Sequence, residues 1–223
     1  MPETHRRLDE ELNALRDKVM LLGAAAEDAV RKAMASLIER DSDLAREVLA
    51  EDDVIDQMEL EIDELTIDIL ALHTPAARDL RFVMTAAKLA PTLERMADHA
   101  CNIARHAIDL NEEPQLKPYI DLPIMGNLAA DMIKAGMDAF AEEDAEKARA
   151  LIHHDDRIDA LYNQIFRELL TYMIEDPKTI SRAAKLLFVV KHLERIADYV
   201  TNICEQIVYM VEGRVIKHKP LES

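Results

Sequence analysis

The chain has 223 residues, of which 44 are Asp or Glu and 27 are Lys or Arg, so its formal net charge is −17. This charge argues against nonspecific binding to nucleic acid or to anionic lipid, and it favours metal cations and basic protein surfaces as partners. With four glycines, no tryptophan and a composition dominated by helix-forming residues, the chain is expected to be all-α.

The first residues and the apolar runs predict the compartment. Residues 1–7 lead straight into a charged helical pattern, without the apolar segment of a signal peptide. The longest apolar run, residues 186–190, is too short to span a membrane. We therefore expect a cytoplasmic protein with reduced thiols and no membrane insertion.

In the first half, apolar residues recur at spacings of three and four, which is typical of amphipathic helices. The first helix is predicted over residues 8–38, and the second runs from an N-cap at Asp41 to residue 73. The third is predicted to start at Thr74–Pro75 and to end near residue 110. A kink rather than a break is expected at Pro91, because the apolar period continues beyond it.

The second half repeats this arrangement. Residues 112–123 contain three prolines and no period, which predicts a linker between residues 1–111 and residues 124–213. Helices are predicted over residues 124–140 and 144–174, and a sixth from Asp176–Pro177 to Gly213. Residues 214–223 are expected to form a tail.

The two halves share a duplicated motif. Residues 93–103 read LERMADHACNI and residues 193–203 read LERIADYVTNI, with seven of eleven positions identical. At an offset of 103, DDVID at residues 52–56 matches DDRID at residues 155–159. Long helices joined by short turns favour antiparallel neighbours. The sequence thus predicts two tandem antiparallel three-helix bundles related by an internal quasi-twofold repeat.

The motif carries acidic residues one helical turn apart. Positions i and i+4 project from the same side of a helix, so two adjacent helices with such pairs can build an all-oxygen site. Hard cations such as Mg²⁺, Mn²⁺, Ca²⁺ or iron suit such ligands better than zinc does. The candidate ligands are Asp52, Asp56, Glu94, Asp98 and Asn102 in the first half, and Asp155, Asp159, Glu194, Asp198 and Asn202 in the second.

A simpler interpretation is that these acids form solvated helix faces, paired in part with Arg95 and Arg195. His99 and Cys101 are replaced by Tyr199 and Thr201 in the second copy, so neither is expected to be a shared ligand. Cys204 is interpreted, like Cys101, as a small packing residue.

Signatures of enzymes are missing from the sequence. It contains no glycine-rich phosphate loop, no nucleophile elbow, no Cys-x-x-Cys and no Glu-x-x-His. No group of residues suggests a nucleophile with its base and an oxyanion site. Regulation or binding is therefore favoured over catalysis.

The duplicated Leu-Glu-Arg-x-Ala-Asp-x-x-x-Asn-Ile segment resembles the hallmark of the PhoU family, as do residues 75–81 and the two Asp-x-x-Ile-Asp segments. This resemblance implies two three-helix bundles with metal ions at the acidic motifs, in a cytoplasmic homodimer. It implies a negative regulator of phosphate uptake and phosphate-starvation signalling. Such a protein would act as an adaptor between the ATPase of a phosphate ABC transporter and a sensor histidine kinase.

Two other functions are kept as alternatives. One is a helical protein for metal storage or buffering, and the other is a purely structural bundle with solvated acids.

The resemblance places the metal at Asp52, Asp56, Glu94 and Asp98 in one half and at Asp155, Asp159, Glu194 and Asp198 in the other.

Overall fold

The computed structural model describes residues 3–152 and 155–216, apart from the side chains of residues 3–5 and 155. Within these ranges the chain forms seven α-helices and one 3₁₀ turn, and it contains no strand. The helices are α1 (Glu3–Ile38), α2 (Ser42–Leu72), α3 (Ala77–Asn111), α4 (Asp121–Glu142), α5 (Ala145–Ile152), α6 (Asp155–Glu175) and α7 (Ile180–Glu212). The expectation of an all-α protein is confirmed.

Several helix ends follow from the predicted capping residues. The Asp41 side chain accepts hydrogen bonds from the backbone N–H groups of Asp43 and Leu44, as expected for an N-cap. Asp176 caps a 3₁₀ turn, Pro177–Thr179, which leads into α7. Gly213 ends α7 with a left-handed φ of 70°, a conformation that glycine adopts without strain.

Other boundaries differ from the prediction. Helix α3 begins at Ala77, after an N-cap at Ala76, so the predicted start at Thr74–Pro75 was wrong. Helix α4 begins at Asp121, which puts Pro123 in its first turn; a proline is tolerated there because first-turn N–H groups have no partner within the helix. The predicted fifth helix is described as α5 and α6, and residues 153–154 between them lie outside the described residues.

Two helical bundles share one hydrophobic core. Helices α1, α2 and α3 pack against one another, and α4, α5, α6 and α7 form the second bundle. Contacts of α3 with α7 and of α1 with α4 join the bundles, and the cluster of buried apolar residues continues through both. The predicted architecture of two tandem three-helix bundles is therefore confirmed.

Helices α3 and α7, which carry the two motif copies, pack against each other antiparallel. Lys88 Nζ donates to Gln206 Oε1 over 3.1 Å near one end of the interface, and Lys185 pairs with Asp109 over 3.5 Å near the other. The His99 ring stacks on the Tyr199 ring with centroids 5.6 Å apart, so the quasi-equivalent positions meet in the middle. Each motif helix thus uses one face between the repeats and another face toward α2 or α6.

Candidate metal centres

The first acidic cluster lies where α2 packs against α3. It comprises Asp52, Asp56 and Glu59 from α2 with Glu94 and Asp98 from α3. Partial burial, together with the charges of Asp98, Asp56 and Glu59, raises the pKa of Glu94 to about 7. The predicted carboxylates of the first half therefore lie within electrostatic range of one another.

Two further acids of this cluster, Asp56 and Glu59, show the same effects of burial and like charge. Burial and the charges of Asp52 and Asp98 raise the pKa of Asp56, and burial with Asp63 and Asp56 raises that of Glu59. None of the five clustered acids forms an ion pair with a Lys or Arg in the described ranges. The first acidic cluster is thus a concentration of negative charge in which Arg95 opposes the rise in the pKa of Glu94 without forming a described ion pair with it.

The thiol of Cys101 contacts the end of this cluster. Cys101 Sγ donates to Asp52 Oδ1 over 3.3 Å. Burial and this carboxylate raise the pKa of the Cys101 thiol to about 12, so the thiol keeps its proton and remains a donor. Sequence reasoning interpreted Cys101 as a packing residue only. Its position seven residues after Glu94, on the same side of α3, could have indicated this contact.

The second acidic cluster consists of Glu194 and Asp198 on α7, whereas the predicted ligand Asp159 on α6 is exposed and no described contact joins it to them. The side chain of the predicted ligand Asp155 lies outside the described residues. Glu194 Oε2 accepts from Lys191 Nζ over 2.5 Å, and Asp198 Oδ2 accepts from Arg195 Nη1 over 3.2 Å. Burial and Glu194 raise the pKa of Asp198, while Arg195 and Lys191 oppose the rise. This cluster contains its own counter-ions.

The duplication shows how this difference arises. Lys191 occupies the position of Pro91 in the first copy, and Tyr162 occupies that of Glu59. The Lys191 ammonium lies 5.5 Å from the centroid of the Tyr162 ring, a cation–π distance. The second copy therefore has an aromatic ring, Tyr162, where the first has the carboxylate of Glu59, and it has Lys191 beside that ring.

A family model described as "PhoU domain" matches residues 19–107 and again residues 122–207. This chain belongs to the PhoU family. The double match agrees with the duplicated motif and with the two bundles.

Relatives of this PhoU-family chain match over nearly its whole length. A protein of Aquifex aeolicus named "Phosphate-specific transport system accessory protein PhoU homolog" is 40% identical over 217 residues, covering 97% of this chain and 98% of that protein. The homolog 2 protein of Thermotoga maritima is 39% identical, covering 96% and 91%. The crystal structure of PhoU from Pseudomonas aeruginosa superposes with a TM-score of 0.89 at 39% identity, covering 92% of this chain and 99% of that one.

The structure places the two predicted asparagine ligands differently from the acids. Asn102 Oδ1 accepts a hydrogen bond from Arg105 Nη1 over 2.8 Å, so this oxygen already has a partner. Asn202 is exposed and lines a groove between α3 and α7 together with Arg95 and Tyr199. Neither amide is brought into a carboxylate cluster as a free oxygen.

The donor atoms of the PhoU-family motif suit a hard cation, because they are carboxylate oxygens. A divalent cation would also relieve the repulsion that raises the pKa of Glu94. Within residues 3–152 and 155–216, however, no three His, Cys, Asp or Glu side chains are grouped as a metal ion would need them. Binding would therefore require the half-exposed carboxylates to rotate toward a common point.

The described residues of this PhoU-family chain form seven α-helices. None of them combines the length and the apolar character that crossing a membrane needs.

Proposed function

We propose that this chain is an accessory protein of a phosphate-specific transport system, and that it represses phosphate uptake and phosphate-starvation signalling when phosphate is plentiful. The observation that carries this proposal is the duplicated motif, which the PhoU family model matches once in each repeat. Relatives at about 40% identity bear the name of such accessory proteins.

The proposed mode of action is protein contact rather than catalysis. The partners we propose are the ATPase of a phosphate ABC transporter and a sensor histidine kinase, with this chain as a cytoplasmic, homodimeric adaptor between them. The strongly negative surface supports this idea, because complementary charge speeds and orients protein association.

We further propose that the acidic clusters bind Mg²⁺, Mn²⁺ or iron in preference to zinc. Asp52, Asp56, Glu94 and Asp98 would hold the ion in the first repeat, and Asp155, Asp159, Glu194 and Asp198 in the second. A bound cation would neutralise the first acidic cluster and tie α2 to α3. Its role would be structural and electrostatic, since these carboxylates supply no nucleophile with its base.

Deletion of this protein in its own host tests the regulatory proposal. We expect alkaline phosphatase activity to stay high in phosphate-rich medium in the deletion strain, and the wild-type chain to restore repression. Normal repression in the deletion strain would contradict the proposal. Complementation with the Glu94→Ala/Asp98→Ala variant then tests whether repression needs the first acidic cluster.

Metal content separates regulation from the storage alternative. Elemental analysis of the purified protein should find a small, fixed number of ions per chain, as expected for sites at two motifs. A content that keeps rising with metal supply would favour storage instead.

A further inference from the structure

Helix α2 carries an unusual share of the negative charge. Eleven of its 31 residues are Asp or Glu and one is basic, whereas the equivalent residues 145–175 of the second repeat contain six acidic and four basic residues. Four of the α2 acids pair with Lys18, Lys32 or Arg46. The remaining α2 acids make no ion pair in the described part of the chain.

An apolar row runs along the solvent side of the same helix. Leu60 is 52% exposed and Ile67 is 65% exposed. They are seven residues apart and thus project in nearly the same direction. The core side of α2 is occupied by Ile55, Ile62 and Ile69, which are buried. Leu60 and Ile67 are therefore not needed to hold α2 in its bundle.

Exposed carboxylates lie on both sides of this row. Asp63 projects on one side of the line from Leu60 to Ile67, while Glu64 and Asp68 project on the other. All three acids are exposed. We call these five residues the α2 outer face.

The chemistry of the α2 outer face indicates which kind of partner segment would fit it. Its apolar row would pack against the apolar stripe of an amphipathic helix, and its flanking acids would pair with Lys or Arg beside that stripe. We propose that the α2 outer face binds a basic amphipathic helix of a partner protein. The row spans about 10 Å, so two turns of such a helix suffice to cover it. This inference rests on the proposed function, since it names the class of partner segment.

The second repeat presents different chemistry at the corresponding positions. At the offset of 103, Asn163, Phe166, Arg167, Leu170 and Thr171 replace the residues of the α2 outer face. Arg167 in place of Glu64 would repel a basic helix. The partner helix should therefore bind to the first repeat, and Leu170, which is 37% exposed, provides a matched control for Ile67.

A synthetic peptide tests the inference with the full-length chain. The probe is a fluorescein-labelled 18-residue helix whose leucines form one stripe flanked by Lys and Arg, compared with a scrambled peptide of equal composition. By fluorescence anisotropy, we expect the striped peptide to bind and Ile67→Ser to weaken binding about tenfold. Glu64→Gln/Asp68→Asn should weaken it and flatten its salt dependence, whereas Leu170→Ser should leave the affinity unchanged.

Four results would overturn the inference. The first is that the striped peptide does not bind, or binds no better than the scrambled peptide. The second is that Leu170→Ser weakens peptide binding as much as Ile67→Ser does. The third is a change of sedimentation in Ile67→Ser, which would make this face a contact between copies of the chain. The fourth is Ile67-dependent binding to phosphatidylcholine vesicles, which would make it a membrane contact.

The peptide assay and the deletion strain test the docking surface and the proposed function separately, so either proposal can be contradicted without the other. Peptide binding with normal repression in the deletion strain would contradict the proposed function but not the docking surface. If repression is lost on deletion but normal in an Ile67→Ser strain, the regulatory use of this surface is contradicted.

Discussion

The two acidic clusters present the same motif carboxylates in opposite electrostatic settings. In the first acidic cluster, Glu94 forms no ion pair in the described ranges, and burial with its acidic neighbours raises its pKa to about 7 although Arg95 opposes the rise. In the second, Glu194 is bonded to Lys191 and Asp198 to Arg195. Two copies of a motif can therefore have the same acidic residues and still differ in how much of their negative charge is paired with Lys or Arg.

The cause of the difference lies outside the motif itself. Glu59 and Pro91 in the first repeat correspond to Tyr162 and Lys191 in the second, and Lys191 contacts both Tyr162 and Glu194. Removing an acid and adding a lysine both reduce the negative charge of the second cluster. Under the proposed metal binding, the first acidic cluster should therefore depend more strongly on the ion.

The largest expected effect is on stabilisation by metal. A ligand at a hundred times its Kd stabilises the folded state by about 2.7 kcal/mol. After chelation, added Mn²⁺ should raise the Tm of the wild type, and Glu94→Ala/Asp98→Ala should lose most of this gain. Glu194→Ala/Asp198→Ala should lose less. Thermal unfolding with and without Mn²⁺ measures both.

The control for this experiment is the metal-free protein, in which the same variants must fold with the helical content of the wild type. Equal losses of Mn²⁺ stabilisation in the two double variants would contradict the inferred difference. No Tm change on adding Mn²⁺ to the wild type would contradict metal binding at either cluster.

A second prediction concerns the metal-free protein. Replacing one glutamate by glutamine should change the free energy of unfolding in opposite directions in the two clusters. Glu94→Gln removes repulsion and should stabilise the fold by about 1 kcal/mol, a reduced value because the side chain is partly exposed. Glu194→Gln breaks the pair with Lys191 and should destabilise it by about 0.5 kcal/mol. Urea unfolding in the presence of a chelator measures the two free energies.

Lys191→Met sharpens this test. In that background Glu194 lacks its nearest cation, so Glu194→Gln should no longer destabilise the protein. If Glu194→Gln has the same effect with and without Lys191, the ion pair does not account for the difference between the clusters.

The smallest effect is expected at Cys101, whose thiol donates to Asp52. Cys101→Ala should destabilise the protein through this lost hydrogen bond by about 0.3 kcal/mol, less than for an ordinary hydrogen bond, because a thiol is a weak donor. Thr201, the counterpart, donates to the Ala197 carbonyl of its own helix over 3.3 Å, so Thr201→Ala is the matched control. A double-mutant cycle of Cys101→Ala with Asp52→Asn isolates the contact; a coupling energy of zero would exclude it.

The sequence by itself determined the helical architecture and the identity of the acidic residues. Apolar spacing revealed the helices, Asp41 and Asp176 marked helix starts, and the duplication matched α2 with α6 and α3 with α7. These features are local or repeated, so they can be read without knowing how helices pack. Helix ends that lack a side-chain cap, such as the Ala76 start of α3, were missed for the same reason.

Only the tertiary structure decided the state of each carboxylate. Spacing along one helix shows which residues share a side, but it does not show which side chain of a neighbouring helix reaches them. The Cys101 thiol on Asp52 joins two helices and depends on their packing. The Lys191–Glu194 and Arg105–Asn102 contacts each join residues three apart on one helix, so the spacing allows them and the rotamers decide whether they form. Those contacts distinguish a cluster that forms no described ion pair with Lys or Arg from one that does.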